Sequence, residues 1–158
     1  MSKFEIRLAA PGDPDAARLI GRHLAQMASQ SPAESCHAQG QSDLEDADAR
    51  LFLLRRDDVA VAMGALKVIE GGALELKSMH TVSEARGSGA GRAMLEYLLD
   101  LARQDAATGV YLETGSSDDF VASRRLYASL GFVECPPFSN YSSDPLSTFM
   151  HLDLRNAS

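Results

Sequence analysis

Arg86-Gly-Ser-Gly-Ala-Gly-Arg92 is the stretch on which the reading of this chain turns. It follows a β-like run at residues 73–82. After it, Met94, Leu95, Leu98, Leu101 and Ala102 recur at helical spacing over residues 89–107. Glycines between a strand and a helix let the backbone turn tightly, and without Cβ atoms they let a ligand approach the N–H groups. The first turn of the helix adds unpaired N–H groups and the positive end of the helix dipole, which suits a phosphate. Arg86 and Arg92 supply charge-assisted hydrogen bonds. A tight turn with an incidental helix start would carry the same letters with no ligand. Two other nucleotide motifs do not fit. The P-loop requires Lys-Ser/Thr after its last glycine, where this chain has Arg92-Ala93; the dinucleotide fingerprint requires a glycine where Arg92 stands, and follows a first strand rather than a fourth.

Working outward, residues 4–8 alternate as a first strand. Asp13-Pro14 is an N-cap followed by a proline at the first helical position. Ala17, Ile20, Leu24 and Met27 then predict a helix over residues 14–28. Residues 29–42 are small and polar, a loop long enough to be functional. A short acidic helical stretch is predicted at 43–49. Apolar runs at 50–56 and 59–69, separated by Asp57-Asp58, predict a hairpin, and Gly71-Gly72 marks the next turn. Downstream come a strand at 110–114, a helix at 118–130 closed by Gly131 as its C′ glycine, and strands at 132–135 and 148–154 joined by a loop over 136–147. The order is βα(α)βββαβαββ, a mixed α/β arrangement read as a single domain over residues 1–158, with no repeats or linkers.

Composition narrows the function. The net charge of −7 argues against a protein that neutralises nucleic-acid phosphates with a basic face, so no nucleic-acid partner is expected. Cys36 and Cys135 are far apart and lack metal-ligand spacing, as do the four histidines, so neither a disulfide framework nor a metal site is expected. No apolar run approaches membrane-spanning length and the N-terminus lacks an apolar signal core; no membrane partner and a cytoplasmic location follow as expectations.

The Arg86-Gly-x-Gly-x-Gly91 pattern after a strand, followed by a leucine-rich helix, resembles the R/Q-x-x-G-x-G/A motif of the GNAT superfamily of N-acetyltransferases. About forty residues on, Arg125-Leu-Tyr-Ala-Ser-Leu-Gly-Phe132 resembles that superfamily's second signature, which ends L-Y-x-x-x-G-F. Strand order agrees, so the resemblance covers nearly the whole chain. It implies a mostly antiparallel central sheet flanked by helices, with strands splayed at the acetyl-CoA site. It also implies acetyl-CoA as co-substrate, no metal, and transfer of an acetyl group by direct attack of a primary amine.

A thioester is already activated, so such an enzyme mainly holds an amine against it, removes the ammonium proton, stabilises the oxyanion and protonates the departing thiolate. By the resemblance, the pyrophosphate falls to Arg86, Gly87, Ser88, Gly89, Ala90, Gly91 and Arg92. The oxyanion donor falls to a backbone N–H among Met79, His80, Thr81 and Val82, with Thr81 nearest by spacing. Tyr127 takes the position of the general acid. Glu75 and Glu113 each occupy a position where some members carry a base; Glu113 is preferred because the gap between splayed strands is where the amine arrives, and a water chain is the alternative. Many members carry an asparagine where this chain has Phe120, so Ser123 and Arg124 are the expected contacts to the outer cofactor beside it. Acceptor contacts are expected from Ser35 and His37 in the loop after helix 1, Tyr141 and Ser147 in the loop before the last strand, and Lys77. Lys77 shares a face with Glu75; it either meets an acceptor carboxylate, pointing to an amino acid or related metabolite, or pairs with Glu75 or Glu113. The expected partner is a small amine, and a homodimer is compatible. Acetylation of a protein N-terminus or lysine, and a CoA-binding module without turnover, are the alternatives.

Overall fold

The alternating segment Phe4–Leu8 forms strand β1 at one edge of a seven-stranded sheet. The computed structural model describes residues 4–30, 49–139 and 141–155. Helix α1 (Pro14–Gln30) follows, capped as its sequence predicts: the Asp13 carboxylate accepts the Asp15 N–H at 2.9 Å and Pro14 fills the first helical position. Strands β2 (Ala49–Arg56) and β3 (Val59–Val68) form the expected hairpin. Its two-residue turn holds Asp57 and Asp58 at φ 54° and 70°, a primed geometry that matches strand twist. Strand β4 (Leu74–Thr81) completes an antiparallel meander. The acidic stretch predicted as helix at 43–49 is corrected at its end, because Ala49 opens β2; residues 43–48 lie outside the described residues.

After β4 the chain crosses over through helix α2 (Ala90–Gln104) to strand β5 (Gly109–Gly115), and the β4–β5 pair is the single parallel one among the described strands. A parallel neighbour requires such a crossover. Helix α3 (Val121–Ser129), strand β6 (Val133–Glu134) and strand β7 (Ser147–Asp153) finish the order β1-β2-β3-β4-β5-β7-β6. The predicted helix over 118–130 is thus a 3₁₀ turn (Asp118–Phe120) leading into α3. The helix ends in a Schellman motif: Gly131, at φ 104°, donates to the Ala128 carbonyl and Phe132 donates to the Tyr127 carbonyl.

Strand β3 is buried on both faces from Ala60 to Leu66, between α1 and α2. Helix α2 buries Met94, Leu95, Leu98, Leu99 and Ala102, each large side chain contributing roughly 1.5–3 kcal/mol relative to exposure. Leu99 rather than Leu101 completes this face, and Leu101 packs on its flank. Helix α1 is likewise rotated from its predicted stripe. Ala16 and Leu19 are buried while Ala17 is exposed, so His23 falls on the inward face. Polar contacts hold the same orientation: Arg18 donates to the Ala60 carbonyl, and Arg55 of β2 pairs with Asp13 and Asp15.

The feature that shapes the sheet is a bulge in β4. Met63 pairs with His80 and Ala65 with Lys77, so Gly64 alone faces both Ser78 and Met79. A Cβ on Gly64 would stand 2.8 Å from the Met79 sulfur and 2.9 Å from Leu98 Cδ1, so a larger residue there would have to displace both side chains. Ser78 takes φ 57°, and its buried hydroxyl has no hydrogen-bond partner among the described residues. Ladder pairing of β4 with β5 covers Leu74, Leu76 and the residue between them, against Val110–Leu112, and then stops.

Both features of Ser78 cost stability: a left-handed conformation on a residue with a Cβ, and an unmatched hydroxyl. Ser78→Gly is therefore expected to raise the unfolding free energy by about 1 kcal/mol. Ser78→Val is expected to lower it by about as much or more, because a branched side chain resists positive φ. Urea unfolding of the three proteins checks both signs; a loss of stability in Ser78→Gly would contradict the strain argument.

Candidate functional site

Where β4 and β5 stop pairing, a cleft of about 540 Å³ opens, running from the start of α2 to the loop before β7. Its first end is the glycine-rich segment. Gly87 and Gly89 sit at φ 79° and 90°, and a Cβ on either would meet nothing within 4 Å, so conformation rather than crowding selects glycine there. Gly89 is the N-cap of α2 and no side chain caps the helix, which leaves its first N–H groups without an intrahelical acceptor. Arg86 bridges β4 to α1: its Nε donates to the Thr81 carbonyl at 3.2 Å and its Nη2 to Gln26 Oε1 at 2.6 Å. Arg92 reaches Ser129 Oγ at 3.3 Å and Glu96 at 3.6 Å from an exposed position. This end can hold a phosphate-bearing ligand by backbone N–H groups, helix dipole and two guanidinium groups together.

At the other end, two carboxylates face the same side of adjacent strands. Glu75 pairs in register with Tyr111, so Glu113, two residues on, lies on the same face. Glu75 is buried. It accepts from Tyr141 Oη at 2.6 Å and from Lys77 Nζ at 3.3 Å, while Lys77 also donates to the Tyr141 oxygen at 3.1 Å. Of the two arrangements open to Lys77, the structure thus has the ion pair with Glu75. Glu113 accepts from Ser147 Oγ at 2.5 Å. Burial pushes the Glu113 carboxyl above its ordinary value; the Ser147 hydrogen bond and the Lys77 charge oppose this, while Glu75 and Asp144 add to it.

Tyr127 is buried at the cleft wall, packed edge-on against Phe132 with ring centroids 5.8 Å apart, and its hydroxyl has no hydrogen-bond partner among the described residues. Burial first, and the Glu113 charge second, push its pKa up, so it holds its proton at neutral pH. Phe120 lies at the tip of β5 with its ring against Gly115, where a Cβ would come within 2.1 Å of it.

Most of the predicted site residues line this one cleft: Glu75, Lys77, Met79, His80 and Thr81 from β4, the glycine-rich segment and Arg92, Glu113, Phe120, Ser123 and Tyr127, and Tyr141 and Ser147. Ser88 and Arg124 are not part of its wall. The Ser88 hydroxyl donates to the Ala85 carbonyl, and Arg124 donates to the carbonyls of Gly115 and Ser117. Ser35 and His37 lie outside the described residues. Sequence reasoning missed His23, Gln26 and Met27, which line the cleft from α1. Met27 stands on the predicted apolar stripe without having been assigned to the site, and His23 and Gln26 join it because the inward face runs through Ala16 and Leu19. His23 Nδ1 lies 3.3 Å from His80 Nδ1, and each ring is held near a pKa of about 4. Burial is the main cause for both; for His80 the neighbouring His23, Arg86 and Arg22 add to it. Among the described residues no three His, Cys, Asp or Glu side chains converge as a metal site, and no helix is long and apolar enough to cross a membrane.

Residues 20–132 match the model of the acetyltransferase (GNAT) family. The chain is 35% identical over 132 residues to the uncharacterized N-acetyltransferase YsnE of Bacillus subtilis (strain 168), spanning 84% of this chain and 87% of that protein. It is 39% identical over 125 residues to an IAA acetyltransferase of Azospirillum brasilense, covering 78% and 80% of the two chains. Among solved structures, a candidate acyl-CoA N-acyltransferase from Klebsiella pneumoniae superposes with a TM-score of 0.76 at 28% identity, over 96% of this chain and 97% of that one.

The two histidines give the site a pH signature. Their folded pKa values lie below the ordinary 6.5, so the unfolded chain binds more protons between those values. Their contribution is complete above pH 6.5 and is lost as pH falls toward about 4. Wild-type protein is expected to lose on the order of 5 kcal/mol over this interval, and His23→Gln, which does not titrate, to lose roughly half as much. Chemical unfolding at neutral and mildly acidic pH measures the difference; equal slopes would show that the rings are not held neutral by burial.

Proposed function

The chain belongs to the acetyltransferase (GNAT) family and is an acetyl-CoA-dependent N-acetyltransferase, and from that premise we propose that it acetylates the primary amine of a small molecule, with Glu113 as proton acceptor and Tyr127 as proton donor. The observation that carries the reading is that one cleft joins the open N-terminus of α2 to Glu113 and Tyr127 through the gap where β4 and β5 cease to pair. Acetyl-CoA brings an acyl group already activated as a thioester. The glycine-rich segment, with Arg86 and Arg92, fits its pyrophosphate, because it offers unobstructed N–H groups of one orientation and two cations. The unpaired backbone of β4 and β5 suits an extended amide-bearing arm, which can hydrogen-bond as a strand does.

In this reading the amine arrives as an ammonium beside Glu113 and Glu75. Glu113 takes one ammonium proton, and the freed lone pair attacks the acyl carbon. Backbone N–H groups of β4 beyond the bulge, near Thr81, face the developing negative oxygen. As the carbon–sulfur bond breaks, the Tyr127 hydroxyl gives its proton to the sulfur. The second proton of the attacking nitrogen restores the phenol, and the proton on Glu113 leaves to solvent. The raised pKa of Glu113 suits a base working near neutral pH, and that of Tyr127 keeps its proton available. A small acceptor is favoured because buried Glu75 and half-buried Glu113 are screened by Tyr141 and Ser147, which hydrogen-bond them, and one relative is an IAA acetyltransferase.

Gly89→Glu places a side chain and a negative charge on the free helix N-terminus, and is expected to weaken acetyl-CoA binding by ~100-fold or more while far-ultraviolet circular dichroism is retained. Gly89→Ala, which strains the backbone without adding charge, is expected to lose much less. Calorimetric titration decides, and wild-type affinity in Gly89→Glu would remove the pyrophosphate from this segment.

With an acceptor found by screening amines for CoA release, Tyr127→Phe and Glu113→Gln are each expected to lower kcat by about 10²–10⁴-fold with acetyl-CoA affinity changed little. In wild type, kcat/KM is expected to rise with pH through an acid limb above the ordinary carboxylate range, because protonated Glu113 cannot accept a proton. Wild-type turnover in either variant would return that residue to a packing role.

A further inference from the structure

The cleft holds a charged group that the transfer step does not use. Lys77 points into it yet its ammonium is already matched, and its side chain and that of Glu75 are 7% and 5% exposed. Burying two ions is costly, and an isolated buried pair is a poor source of stability. Here the pair is completed by Tyr141, whose hydroxyl donates to Glu75 and accepts from Lys77. The last register pair of the parallel ladder is Leu76 with Leu112, so Lys77 and Glu113 are the first residues on either side of the opening, directly across from one another and on one face. We propose that Lys77 and Glu75 are a positioning pair whose opposed charges set the protonation state of Glu113. This rests on the reading of Glu113 as the proton acceptor.

The groups facing Glu113 come from four elements: Glu75 and Lys77 on β4, Tyr127 on α3, Ser147 on β7 and Asp144 in the loop before it. Two of these, Glu75 and Asp144, carry negative charge and one, Lys77, carries positive charge. Without Lys77, burial together with the Glu75 and Asp144 charges would keep Glu113 protonated further into the working pH range, and an arriving ammonium would meet an acid instead of a base. Without Glu75, Lys77 would hold Glu113 ionised but less able to take a proton. Tyr141 fixes the partition by orienting Lys77 and Glu75 on each other.

The test is a carbon-13 NMR titration of the Glu113 side-chain carboxyl, assigned with Glu113→Gln, beside the pH profile of kcat/KM for CoA release. Lys77→Met is expected to move the Glu113 midpoint up by about one pH unit, Glu75→Gln to move it down, and Lys77→Arg to restore it. The acid limb of the kinetic profile is expected to follow in each. Midpoints that move without the limb would support the pair and overturn Glu113 as the base. Midpoints that stay fixed in both Lys77→Met and Glu75→Gln, with native circular dichroism, would overturn the pair whatever the kinetics do. If one variant fails to fold, the opposite sign expected of the other decides alone.

Discussion

A parallel ladder that stops after Leu76 and Leu112 governs the rest of this molecule. Antiparallel pairing on either side holds β4 to β3 and β5 to β7, so neither strand can collapse toward the other without breaking a sheet. The bulge at Ser78 and Met79 turns the far half of β4, and Gly64 is the empty position that lets it do so beneath Met94 and Leu98. The cofactor end and the acceptor end of the cleft are therefore two ends of a single break in hydrogen bonding. The strain recorded at Ser78 is local, and it sits where the backbone of β4 must change direction.

The two ends solve the problem of buried polarity differently. Around the glycine-rich segment the donors are backbone groups fixed in place by helix and turn, with the guanidinium groups of Arg86 and Arg92 beside them. Around Glu113 the work is done by side chains that satisfy one another: Ser147 on Glu113, Tyr141 and Lys77 on Glu75. The first arrangement suits a ligand of constant chemistry shared by a whole family. The second depends on residues from β4, β5, β7 and the loop before β7.

Much of the cofactor half was legible in the sequence because it is written in consecutive letters. A glycine-rich turn between strand and helix has few physical readings, and Leu126-Tyr127 before Gly131-Phe132 fixes a helix end as well as a tyrosine. Glu75, Lys77 and Glu113 could be placed on one face by the two-residue period of strands. That Lys77 and Glu75 pair through Tyr141 could not, since it depends on the path of a loop sixty residues away. His23 was missed for a different reason. The inward face of α1 runs through Ala16 and Leu19 rather than Ala17, and three arginine contacts hold the helix in the same orientation. Leu99 replaced Leu101 on α2 for a smaller cause, a face one position wide of the strict repeat.

An interrupted ladder leaves two strand edges exposed to each other inside the protein, where sheets ordinarily expose edges only at their margins. Free edges are the templates on which chains add to one another and aggregate. At the margin, β1 is short and carries Glu5 and Arg7, and β6 is only two residues long. The inner edges carry Lys77 and Glu113 at their start and face each other across the cleft, flanked by α2, α3 and the loop before β7. An extended ligand that hydrogen-bonded along both edges would fill the seam that an added strand would otherwise take.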